Sequence, residues 1–302
     1  MNSIKFISVI AVLLLHLTFA KAQQAPTYNQ YANQPTALNP TASLLRPDGE
    51  VALLGRKQWV NLEGAPTSYW MTAHAPWHKF NAAIGLNVRH ESLAIENATE
   101  LSAFLAKSVR LSENEYLAMS MSLGVSFYNG SFSQVDPNDP AFRSDIREST
   151  ALMGFGVLLY RPEGYYVGLS MPRLALSDLG SGGDINRQYN FSNQYHLMGG
   201  AVLRLDQSFD IKPAFLASYI PGVPLQADFS AMIYVQKKAG LGLNARTNSD
   251  LSALLEIMVG PLKLGYSYQF NSNDNPLKRR IDNATHEVGL SYRFGSGKAG
   301  IL

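Results

Sequence analysis

Leu117-Ala118-Met119-Ser120-Met121-Ser122-Leu123-Gly124-Val125-Ser126-Phe127 is the stretch that decides the fold. Every odd position carries a large apolar side chain, and every even position carries alanine, serine or glycine. In an extended chain successive side chains point to opposite faces, so period two gives one greasy face and one small, polar face. Eleven residues is about what a tilted strand needs to cross a bilayer.

The pattern recurs along the chain. Ile84, Leu86 and Val88 alternate with Gly85, Asn87 and Arg89. Leu197, Ala201, Leu203 and Leu205 alternate with His196, Gly200 and Arg204. Leu225 to Val235, Leu262 to Phe270 and Val288 to Phe294 repeat it. Fourteen such segments are predicted, near 50–60, 67–75, 80–91, 98–111, 116–129, 149–161, 165–171, 194–206, 209–220, 224–236, 239–247, 250–259, 262–272 and 285–294.

The connections sort by parity. With a periplasmic N-terminus, the inner turns are Pro76–Lys79, Ser112–Glu115, Pro162–Gly164, Asp206–Ser208, Lys237–Lys238 and Gly260-Pro261, all short. The long connections 130–148, 172–193 and 273–284 fall on the other side. Short inner turns and long outer loops characterise bacterial outer-membrane barrels. The expected fold is therefore an all-β, antiparallel up-and-down transmembrane β-barrel of about fourteen strands, over residues 50–294. A soluble β-sandwich also alternates, but its solvent face carries Lys, Glu, Thr and Asp freely. Here the non-apolar face is mostly glycine and serine. Trp59, Tyr69, Trp70, Trp77, Tyr128, Tyr160, Tyr165, Tyr166, Tyr219, Phe270, Tyr292 and Phe294 lie near predicted strand ends, where interfacial aromatic girdles belong.

The ends read differently. Lys5, the apolar run Phe6 to Phe19, and Ala20-Lys21-Ala22 form a secretory signal peptide over residues 1–22. Its removal takes Lys+Arg from 25 to 23 against 23 Asp+Glu, and a balanced chain gives no electrostatic case for nucleic acid. The chain has no cysteine, so disulfides, Cys-type zinc sites and lipidation at the cleavage site are excluded. Residues 23–49 are rich in Gln, Asn, Pro, Thr and Ala, without a period. They form either a leader or a segment folded into the lumen. Residues 295–302 are a short tail beyond Phe294.

No reactive constellation stands out. The sequence holds no Gly-x-Ser-x-Gly elbow, Walker loop or His-Glu-x-x-His. His74, His78, His90, His196 and His286 lack metal-ligand spacing and read as interface histidines. His90 beside Glu91, and His196 near Ser192, are the nearest approach to a catalytic pair. Asp136 to Pro140 lacks the oxygen spacing and closing Glu of a calcium loop and reads as a Pro-fixed turn. The expectation is no enzyme, no cofactor and no metal. Asp228, Arg246 and Glu256 have lumen parity on successive strands, and buried charges pair. They form either a wall-fixing ion network or the lining of a selective pore.

An ordered series of short motifs completes the reading. Asn29-Gln30-Tyr31, Asn39-Pro40, Gln58-Trp59, Gly64-Ala65-Pro66, Pro137-Asn138-Asp139-Pro140 and His286 to Phe294 succeed one another along the mature chain. This order resembles the PorP/SprF family of Bacteroidota outer-membrane proteins. The resemblance implies a non-enzymatic part in type IX protein secretion and gliding motility. It further implies two kinds of partner: a secreted adhesin recognised through its C-terminal sorting domain, and periplasmic or outer-membrane secretion-system subunits. A passive porin-like channel is the alternative. The positions matching family motifs, as partner-binding or loop-shaping residues, are Gln30, Tyr31, Asn39, Pro40, Gln58, Trp59, Gly64, Ala65, Pro66, Pro137, Asn138, Asp139 and Pro140.

Overall fold

The computed structural model describes residues 28–134, 144–176, 193–247, 250–271 and 284–295. The fourteen strands are β1 (Gly49–Lys57), β2 (Thr67–Trp77), β3 (Ala82–Leu93), β4 (Glu96–Arg110), β5 (Tyr116–Gly130), β6 (Ile146–Arg161) and β7 (Tyr165–Ala175), followed by β8 (Gln194–Ala201, resuming at Leu203–Arg204), β9 (Phe209–Tyr219), β10 (Gln226–Val235), β11 (Ala239–Arg246), β12 (Asp250–Val259), β13 (Leu262–Asn271) and β14 (Thr285–Phe294). Each strand pairs antiparallel with the next, and β1 pairs with β14 from Gly49 opposite Phe294 to Lys57 opposite His286. The sheet is thereby closed around its circumference, and the upper end of β6 runs on past its last described pairing with β7, Leu152 opposite Ala175.

The burial pattern separates a barrel from a sandwich. On β5 the small residues Ala118, Ser120 and Ser122 are buried, while Met119 and Leu123 are more than half exposed. The same inversion holds on β10, where Asp228 is fully buried and Phe229 is 60% exposed. A soluble protein would lose free energy by presenting so wide an apolar face to water. Lipid removes that cost. The outward apolar run on β5, Leu117 to Phe127, spans about 25 Å once tilted, the thickness of an outer-membrane hydrocarbon band.

Strand ends depart modestly from the alternation reading. β7 runs on to Ala175 rather than stopping at 171, through register shifts near Pro172, which lacks the amide proton a ladder needs. β4, β5 and β6 are 15, 15 and 16 residues long. Their upper ends carry outward Asn97, Thr99, Asn129, Arg147 and Ser149. They rise above the apolar band as a wall on one side of the mouth. The upper side also holds one tight turn, Ala94-Ile95, with Ala94 at φ 50°.

The aromatic girdle is smaller than the strand-end reading implies. Tyr69, Trp77, Tyr219, Phe270, Tyr292 and Phe294 face outward and are exposed. Trp70, Tyr128, Tyr160 and Tyr166 are buried inside the barrel, each under 10% exposed. Their even positions place them on the lumen face, and nearness to a strand end does not override parity.

Candidate functional site: the plugged lumen and its outer rim

The lumen is filled by the chain itself. From Tyr28 to Leu45 every residue is buried except Pro35 and Leu44, which are half-buried. Composition gave this segment no period because it forms turns, two of them short 3-10 helices at Pro35–Ala37 and Pro40–Leu44. Asn39 caps the second: its Oδ1 accepts from Thr41 N at 3.1 Å, and Pro40 occupies the first helical position. An Asx cap next to a proline satisfies one orphan amide and removes another. The same side chain turns its amide nitrogen to the wall, donating to Val157 O (3.3 Å) and Leu169 O (3.2 Å).

Glycine makes room for this contact. A Cβ at Gly156 would lie inside van der Waals contact of Asn39 Oδ1 and 2.7 Å from Ser120 Oγ. Asn39 is pinned by its cap and two wall carbonyls, so it has nowhere to retreat. Gly156→Val is expected to destabilise the barrel by about 1–3 kcal/mol, the usual cost of overpacking, as a lowered denaturant midpoint. Gly55→Ala, whose added carbon meets only Tyr69 at 3.6 Å, is the control and leaves the midpoint in place.

Polar contacts hold the segment around the wall. Lys212 Nζ donates to Ala32 O (2.9 Å) and Lys263 Nζ to Asn33 O (2.6 Å). Tyr31 Oη donates to Ala214 O (3.1 Å) and Asp228 O (3.3 Å). Ser170 Oγ donates to Leu38 O at 2.8 Å. The upper attachment is Glu287, whose side chain is completely buried. Its carboxylate accepts from Asn29 N (3.0 Å to either oxygen) and Gln30 N (3.2 Å), and Ser267 Oγ donates to it at 3.3 Å. Arg56 Nε lies 3.4 Å from the other side of the carboxylate, an ion pair without hydrogen-bond alignment. At the lower end Arg46 pairs with Asp48 (3.0 Å) and with Glu163 of the β6–β7 turn (3.7 Å). From Tyr28 the segment thus runs from high in the lumen to the foot of β1.

Of the three lumen charges expected from parity, two meet. Arg246 Nε donates to Asp228 Oδ1 at 2.7 Å, and Arg246 also reaches Asn29 Oδ1 (3.2 Å) and Asp250 (3.9 Å). Glu256 takes a separate position: buried lower on β12, it interacts electrostatically with Lys212 and Lys263. Glu287 was overlooked as a site residue by sequence reasoning, although its parity on β14 gave the signal.

The motif residues divide between two places. Gln30, Tyr31, Asn39 and Pro40 lie buried in the lumen, so they are neither outer-loop residues nor an exposed binding surface. Gln58, Trp59, Gly64, Ala65 and Pro66 form the outer loop 58–66. Its turns close through Gln58 N to Pro66 O (3.0 Å), Leu62 N to Trp59 O (2.8 Å) and Ala65 N to Leu62 O (3.2 Å). Gly64 sits at φ 72° and its carbonyl accepts from Ala94 N at 2.9 Å, a left-handed backbone that suits glycine. Pro137, Asn138, Asp139 and Pro140 lie outside the described residues, as do Ser192 and the signal peptide. The base of that loop is closed where Asp145 Oδ1 accepts from Ser133 Oγ (2.8 Å) and Ser133 N (3.2 Å), bonds that hold its carboxyl below the usual range.

The histidines need correction. His74 and His196 are buried lumen residues, each 6% exposed, rather than interface groups. His196 Nδ1 lies 3.0 Å from Ser218 Oγ. His90 faces outward beside Thr99 (2.9 Å), while Glu91 faces inward against Arg89. The two occupy opposite faces of β3 and form no pair. No cluster of metal-ligating side chains occurs among the described residues.

Fold and internal segment together define a plugged transmembrane β-barrel of the outer-membrane type. The chain belongs to the PorP/SprF family: the family model for "Type IX secretion system membrane protein PorP/SprF" matches residues 20–292. It is therefore an outer-membrane component of the type IX secretion machinery, and neither family nor fold is of an enzymatic kind. Among solved structures it is similar to the outer membrane protein Omp33 of Acinetobacter baumannii, with 9% identity, TM-score 0.47, and 83% of this chain and 99% of that one covered. It is also similar to the KdgM porin, with 11% identity, TM-score 0.40, and 82% and 99% covered. CdiB from Acinetobacter baumannii gives 7% identity, TM-score 0.43, and 82% and 60% covered. No curated protein matches the chain.

Proposed function

We propose that this protein is a non-conducting, non-enzymatic docking component of the secretion and gliding machinery. In this reading it sits in the outer membrane after removal of residues 1–22 and holds a secreted adhesin at the cell surface through the adhesin's C-terminal sorting domain. Periplasmic or outer-membrane secretion subunits are its other partners. The observation that carries the reading is the lumen occupied by residues 28–48 and held from many strands of the wall. A lumen occupied in this way supports a docking role over the passage of a solute or an unfolded chain, and so over the passive porin.

What the barrel then presents outward is its rim, with the raised ends of β4–β6, loop 58–66 and the connections after β5 and β7. An extended partner segment docks on such a surface by main-chain hydrogen bonds and loop contacts. The test is affinity purification of the tagged protein from native outer membranes, with mass spectrometry of the co-purifying proteins. Recovery of a large adhesin with a C-terminal sorting domain is expected. Deleting residues 177–192, beyond the end of β7, is expected to keep the barrel heat-modifiable while abolishing adhesin recovery. Retention of the adhesin by that variant removes the β7–β8 loop as the docking element. A protein that purifies alone and conducts ions returns the porin.

A further inference from the structure

Charge is sorted across the barrel wall. Every Asp and Glu of the described strands has lumen parity, Asp228, Glu256 and Glu287 among them. Lys57, His90 and His286, basic groups that face outward, have no acid beside them on that face of the described strands. These three fall on one stretch of the outer rim, where β13, β14, β1, β2 and β3 are neighbours.

Lys57 stands directly across from His286 in the β1–β14 ladder, and His286 across from Tyr268 in the β13–β14 ladder. His286 Nδ1 lies 2.7 Å from Tyr266 Oη, and the Tyr268 ring stands edge-on to the imidazole with centroids 5.2 Å apart. These contacts fix the ring. When the tyrosine hydroxyl donates to Nδ1, or when the imidazole is charged, Nε2 carries a proton free for a ligand. Immediately below lie apolar Leu53, Leu264 and Val288, each more than 40% exposed. The donors therefore sit at the depth where acyl chains end and headgroups begin. In the adjoining loop Glu63 is exposed.

We infer that Lys57, His286 and the tyrosines Tyr266 and Tyr268 form a binding site for the phosphate headgroup of an outer-leaflet lipid. Lysine supplies a point charge, the imidazole and the Tyr268 phenol supply directed hydrogen bonds, and Tyr266 positions the imidazole, together a donor set that phosphate oxygens take. Among the described strand residues no acid faces outward here to oppose it. The inference rests on the outer-membrane placement and on the long loops marking the outer side. It gives the rim a second partner, since a tightly held lipid would fix the barrel's height and rotation beneath a docked protein.

The full mature chain is reconstituted in phosphatidylcholine nanodiscs doped with diphosphorylated lipid A or with its dephosphorylated form, and lipid retention is read by native mass spectrometry. The phosphorylated lipid is expected to be retained selectively. In Lys57→Gln/His286→Gln selective retention is expected to fall about thirtyfold, roughly fivefold for each basic group removed. Lys107→Gln, at the opposite rim, is expected to behave as the parent. Equal retention of both lipids by the parent, or an unchanged double variant, overturns the inference. Heat-modifiable mobility is measured on every sample, so that loss of the site is told apart from failure to insert. A parent that inserts yet shows no selectivity sinks this site and leaves the docking reading standing.

Discussion

Glu287→Ala is expected to unseat the plug and open the barrel. The carboxylate is fully buried, accepts the main-chain N–H groups of Asn29 and Gln30, and faces Arg56, which is itself 5% exposed. Its removal leaves two amides without their acceptor and a guanidinium without its counter-charge. Breaking a buried ion pair from one side costs about 3–5 kcal/mol, and each lost hydrogen bond adds about 1 kcal/mol. The denaturant midpoint should fall accordingly, and single-channel conductance should appear in planar bilayers in which the parent is expected to show none. Glu287→Ala/Arg56→Leu separates the two consequences. Removing the orphan cation is expected to return much of the stability while the conductance persists, because the plug's amides remain unheld. A variant as stable and as silent as the parent would show that Glu287 does not anchor the segment.

Asp228→Ala is the second large effect. It deprives Arg246 of its closest partner and takes an acceptor from Asn244 (3.2 Å) and Gln226 (3.0 Å). The expected loss is about 3 kcal/mol, the lower end of the buried-pair range, because Asp250 stays 3.9 Å from the guanidinium. Changing both Asp228 and Arg246 to serine removes the uncompensated charge, so equilibrium unfolding should recover part of the loss. A double variant no better than Asp228→Ala sinks the pairing as the source of the effect. Tyr31 donates to the main-chain oxygen of Asp228, so the plug is expected to stay seated in both variants. This distinguishes wall repair from plug release when conductance is measured.

These two sites differ in how they could be read. Asp228 and Arg246 are both interior by parity, and the ladder places them directly opposite one another. Adjacent strands and matching parity are enough to propose that pair. Glu256 has the same parity, yet it stands across from Gly240, six residues along β11 from Arg246. Register along the strand, which parity does not carry, separates it from the pair. Trp70 and Tyr160 show the reverse error: nearness to a strand end suggested the membrane interface, whereas their even numbers already placed them inside. The charge sorting that leaves Lys57 and His286 outside was likewise present in the alternation.

The amino-acid sequence by itself determined a closed barrel, its strand number and the face each strand residue takes. Those features come from side-chain direction, a property of each short stretch of extended backbone. Tertiary structure alone decided that residues 28–48 fill the lumen and that Asn39, Glu287, Lys212 and Lys263 hold them there. An aperiodic segment has no local signal for its partners. Asn29 lies 258 residues from Glu287 in sequence, and only closure of the sheet brings the carboxylate to the amide.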